Sequence, residues 1–146
     1  MWHAGGVSDA TISDFRSHVE FHSSKFPPYD GEQEQINPGI WGKRLAEYLQ
    51  VRLRDSGIKT GEIYSEDWGW AIPIEHDAFP LWIGCGHQYE PDDAFLVFIE
   101  PSKPTIRKGL FKKVDTRADV EQVAKAIDQI LRSDAEIRDI EWMDRR

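Results

Sequence analysis

The sequence predicts an α+β fold, a two-layer sandwich in which an antiparallel sheet of four to five strands carries two helices on one face. Three observations lead there. Between Gly61 and Lys103 three apolar runs of strand length follow one another closely. Two longer segments repeat apolar residues every three to four positions, and each has a single apolar stripe, so both are best laid on the same sheet face.

Residues 1 to 9 are small and polar without period and are expected to fray. Ser17 to His22 alternate apolar with polar, which predicts a short strand whose wet face holds His18, Glu20 and His22. Such spacing can hold a metal, but no fourth ligand is identifiable and a solvated edge strand gives the same pattern, so no metal site is assigned. Pro27 to Gly31 breaks the chain, and an acidic loop follows. Asn37-Pro38 predicts a helix start, with Trp41, Leu45, Tyr48, Leu49 and Leu53 as its stripe and Ser56-Gly57 as its end.

Lys59 to Ile74 reads as one long strand, bent near Ser65-Glu66-Asp67, with Pro73 at an edge or a turn. The turn 75–78 leads to the strand Leu81-Trp82-Ile83-Gly84-Cys85-Gly86, and polar Gln88 to Asp93 leads to the strand beginning at Phe95. Pro101-Ser102-Lys103-Pro104 stops the sheet. Residues 103–113 then form a basic loop with Lys103, Arg107, Lys108, Lys112 and Lys113, expected to be anchored by Leu110 and Phe111; it is a solvated connection or an anion site. Asp115-Thr116 caps a second helix running to about Arg132, with Val120, Val123, Ala124, Ile127, Ile130 and Leu131 buried. Ile137, Ile140 and Trp142 suggest a last strand.

Strand parity sorts the sheet residues. Pairing Ile74 with Phe79 sets Trp70 opposite Ile83 and Trp68 opposite Cys85; pairing Trp82 with Glu100 sets Gly84 opposite Phe98. One face then collects Trp68, Trp70, Ile72, Leu81, Ile83, Cys85, Phe95, Val97 and Ile99 as core. The other collects Asp67, Gly69, Ala71, Trp82, Gly84, Gly86, Leu96, Phe98 and Glu100. Glycines inside strands mark places of close approach, so this face is either a shallow trough with aromatic walls or a strip covered by Phe98, Trp82 or a helix.

A chain of 146 residues makes one domain, 1–146, and buries about two-thirds of its extended surface. Its net charge of -8 and pI near 5.1 disfavour a nucleic-acid partner, and a basic protein partner suits it better. No apolar run is long enough for a membrane helix, and the first residues lack a secretory signal, so a cytoplasmic location without membrane contact is expected. The single cysteine, Cys85, is expected to be a buried thiol rather than a nucleophile. No cofactor motif is present, since Gly84 and Gly86 do not lead into a helix.

The strings EDWGW, LWIGCG and FIEPSKP resemble those of small bacterial proteins of unassigned function; that resemblance implies a bacterial, cytosolic protein and no particular activity. The residues themselves point to a non-enzymatic binding or protein-interaction module, or a homodimer, using Asp67, Trp82, Gly84, Gly86, Phe98 and Glu100 on the glycine face. The alternative is a small hydrolase using the carboxylates of Glu66, Asp67 and Glu100 with His87.

Overall fold

In the computed structural model, which describes residues 16–88 and 91–144, the alternating segment Arg16–His22 forms strand β1. It buries Val19 and Phe21 and leaves His18, Glu20 and His22 half-buried on the other side. A short helix α1, Glu32–Gln35, precedes the longer helix α2, Lys43–Asp55. The strands β2 (Tyr64–Glu66), β3 (Gly69–Ile74), β4 (Leu81–His87) and β5 (Ala94–Glu100) follow. A two-stranded hairpin of β6 (Thr105–Lys108) and β7 (Lys112–Asp115), helix α3 (Arg117–Arg132) and strand β8 (Arg138–Asp144) complete the chain.

Six strands make one antiparallel sheet in the order β2-β3-β4-β5-β1-β8. The expected α+β sandwich is therefore present, with six strands rather than four or five. α2 packs on β3 and β4, α3 packs on β1, β5 and β8, and the two helices touch each other on that one face. Between the layers lie the fully buried Leu45, Leu49, Leu53, Ile72, Ile83, Ile99, Ile127 and Leu131. Each such side chain stabilises the fold by about 1.5–3 kcal/mol relative to exposure. No helix among the described residues is long and apolar enough to cross a membrane.

Several elements differ from their sequence reading. The segment 59–74 is not one bent strand: it reverses at Asp67-Trp68, so that Glu66 pairs with Gly69 and Tyr64 with Ala71, and this reversal supplies the extra strand. Between β3 and β4 the register is Trp70 opposite Cys85 and Ile74 opposite Leu81, two residues from the expected pairing. Phe79 drops into the core and Pro80 has no N–H to give, which lengthens the turn. An even slip preserves which face each side chain occupies. Between β4 and β5 the expected pairs Trp82–Glu100, Gly84–Phe98 and Gly86–Leu96 are all present.

α2 begins at Lys43 rather than at Asn37-Pro38, because its cap comes from a distance. The Glu32 Oε2 atom accepts the backbone N–H groups of Gly42 and Lys43, both at 2.9 Å, together with the Trp70 indole N–H at 2.8 Å. A carboxylate beside unpaired amide donors is what a helix N-terminus favours. The end of α2 is as expected: Gly57 at φ +90° donates to the Arg54 carbonyl and Ile58 to that of Leu53, the paired bonds of a Schellman motif. β1 is not an edge strand, being bonded by β5 and β8 on its two sides. β8 is irregular where Asp139 adopts φ +57°, which accounts for its imperfect period. The expected frayed segment 1–9 lies outside the described residues.

Candidate binding face

The sheet face opposite the helices is shaped by a two-residue turn. Asp67-Trp68 lifts Trp68 out of strand alternation, and Gly69, at φ +151°, follows it so closely against Cys85 that a Cβ would overlap the Cys85 carbonyl oxygen. Trp68 therefore lies on the free face and not, as parity alone predicts, in the core. Its ring stacks on Trp82 with centroids 5.9 Å apart and tilts against Phe98 at 5.1 Å. Trp82 and Phe98 meet edge to face at 5.7 Å, and His18 stacks on Phe98 at 5.5 Å. Such offset and edge-on geometries suit the quadrupoles of aromatic rings.

The glycines of this face are occupied by the protein itself. A Cβ on Gly84 would collide with the Phe98 ring, and one on Gly86 would meet the Trp68 carbonyl oxygen at 2.9 Å. Of the two readings left open by the sequence, the protein adopts the covered strip. The result is a joined aromatic patch, half-buried at Trp68, Trp82 and Phe98, in which the rings cover the glycines.

Carboxylates surround the patch. Glu100 lies opposite Trp82, and its Oε1 accepts the Ser102 amide at 3.0 Å. Glu66 is exposed beside Gly69; Glu20 lies opposite both Leu96 and Glu141. Asp67 is exposed at the turn, where its carbonyl accepts the Asn37 side-chain amide at 2.9 Å. Asp67 thus adjoins Trp68 in the turn and shares no strand rung with Glu100.

The residues of the hydrolase reading are not brought together. His87 sits on the core face, 5% exposed, with its ring 3.6 Å from that of Trp41 and its Nδ1–H donating to the Gly39 carbonyl at 3.0 Å. Among the described residues its buried Nε2 has no hydrogen-bond partner. Glu100 belongs to the opposite face, and Glu66 and Asp67 to the exposed turn. Cys85 is fully buried, and burial pushes its thiol well above the ordinary cysteine range. Among the described residues no three His, Cys, Asp or Glu side chains are grouped to hold a metal. The His22 Nδ1 instead pairs with Asp93, whose carboxyl is held below its usual range by His22 and Arg138.

Two members of the face were missed at the level of sequence. Trp68 was assigned by strand parity, which fails inside a tight turn, and the signal was the Asp67-Trp68-Gly69 triplet. His18 was placed on a wet face without its neighbour, because the β1–β5 pairing joins segments about 80 residues apart.

The arrangement defines a class: an α+β sandwich with one aromatic and acidic sheet face that no helix among the described residues covers. Comparison with known protein families, with curated proteins and with solved structures finds no match.

Proposed function

We propose that this chain is a non-enzymatic binding module that recognises a basic protein through its helix-free sheet face. The observation that carries this reading is the joined ring cluster of Trp68, Trp82 and Phe98 on the side of the sheet away from both helices, with Glu20, Glu66, Glu100 and Glu141 around it. Aromatic anchors on a rigid sheet bind with little ordering cost, and charged residues at the rim steer and select a partner. Glu20 and Glu141 stand directly opposite one another, an arrangement that costs stability in isolation and that a cationic partner relieves.

The test is site-specific photocrosslinking in the native cell. A photoreactive phenylalanine analogue at position 82 should capture a discrete partner, a basic protein or one presenting a basic segment, whereas the same group at position 121, exposed on α3, should not. Equal labelling from both positions, or capture of proteins that present no basic segment, would contradict the reading.

A further inference from the structure

The hairpin β6–β7 carries a charge pattern opposite to that of the remaining chain. Its cross-strand pairs set cation against cation, Arg107 opposite Lys113 and Lys108 opposite Lys112. Directly opposed like charges are destabilising. Among the described residues, Arg107 and Lys108 donate only to the carbonyls of Leu110 and Ala78, and no carboxylate lies within ion-pair distance of Lys103, Lys112 or Lys113. The hairpin is held at Ile106 and Val114, which pack against the core, whereas Leu110 and Phe111 at its tip are 79% and 94% exposed. The expected anchors are thus the residues that project.

The sheet face offers the complement of each feature: an aromatic patch for the apolar tip and four carboxylates for the cations. We infer that the hairpin of one copy docks on the aromatic, acidic sheet face of a second copy. Leu110 and Phe111 lie against Trp68, Trp82 and Phe98, and the cations face Glu20, Glu66, Glu100 and Glu141. This inference rests on the sheet face being the recognition surface and names a second copy as its occupant. A bilayer or nucleic acid is a poorer fit, because the residues outside 103–113 are five charges more negative than the chain's -8 and would be repelled by a polyanion. Between two copies, each of net charge -8, it is the local complementarity of basic hairpin and acidic face that favours docking. Hairpin and face are different surfaces, so the contact is either exchanged reciprocally in a two-fold dimer or repeated head to tail in a ring or chain. With only a hairpin tip inserted it falls below the size of a standard interface, about 1,600 Å², and association is weak and concentration-dependent.

Sedimentation velocity of the purified full chain tests this. The average mass should rise with concentration at low salt, and the association constant should fall at least about tenfold at high salt. Leu110→Ser with Phe111→Ser should abolish association without lowering the melting temperature, since neither side chain packs in the fold. Charge reversal gives the sharper arm. Lys112→Glu with Lys113→Glu, and separately Glu20→Lys with Glu141→Lys, should each stay monomeric alone and associate when mixed. A wild type that is monomeric at every concentration, a tip variant that associates normally, or variants that fail to associate on mixing would overturn the inference. Binding to anionic vesicles or an oligonucleotide by a chain that stays monomeric would overturn it as well. If the wild type is monomeric yet position 82 still captures a basic protein, docking between copies fails while the recognition face stands.

Discussion

At the residue scale, two carboxylates hold distant parts of the chain together. Glu32, 3% exposed, accepts four N–H donors: the amides of Tyr29, Gly42 and Lys43 and the Trp70 indole. Removing it orphans buried donors, each worth about 1–3 kcal/mol. Glu32→Ala is therefore expected to lose about 3 kcal/mol or more in urea denaturation, and a loss below about 1 kcal/mol would show that α2 does not depend on this cap. Asp134 accepts from Lys25 at 2.7 Å and from the Tyr48 hydroxyl at 2.6 Å. The Lys25 ammonium first, then the Tyr48 hydroxyl, hold its carboxyl down at about 2. A folded pKa below the unfolded value of about 3.9 contributes stability above that value and loses it as pH falls toward 2. Tyr48 is the reverse case: burial, then its bond to Asp134, push its phenol up to about 12, so its contribution is present below about 10 and is lost as pH rises toward 12. Asp134→Asn should flatten the acid limb of a stability-versus-pH curve, and an unchanged slope would contradict the assignment. Cys85 should react slowly with alkylating reagents in the native protein and rapidly once unfolded.

At the scale of elements, the sequence was most informative where the governing contact is local. The extent and stripe of α3, the Gly57 stop of α2 and the β4–β5 register were legible because periodicity, a left-handed glycine and a short polar connection determine them. The start of α2 was not, because its cap lies ten residues upstream of Gly42, and local rules look for a neighbouring Asn or Ser. The hairpin β6–β7 was read as a connection because its strands are four residues long and its cations hide the alternation of Ile106 and Val114. Gly42 illustrates a constraint invisible in sequence: a Cβ there would stand 2.7 Å from the Cys85 carbonyl oxygen, backbone that cannot yield as a flexible side chain can. Gly42→Ala is expected to destabilise by about 1–3 kcal/mol, measured by thermal melting, whereas the same change at a well-spaced loop position would be nearly neutral.

At the scale of the whole molecule, parity decided the main outcome. Trp70, Ile83 and Val97 look into the helix layer, and Trp82 and Phe98 look away from it, as the alternation requires even though one register slipped by two. Parity failed at the turn, where Asp67 and Trp68 leave the strand alternation, and the displacement of Trp68 enlarges the aromatic patch. The chain thus combines one sheet face closed by two helices with another that presents rings and carboxylates. The most direct test of that face as a recognition surface is the affinity of Trp82→Ala for the partner that crosslinking at position 82 retrieves, measured by titration alongside the melting curve. The account predicts a loss of about 2 kcal/mol in binding, roughly thirtyfold in Kd, with a stability cost of only about 1 kcal/mol from the lost ring contacts. An unchanged Kd, or a protein that no longer folds, would contradict it.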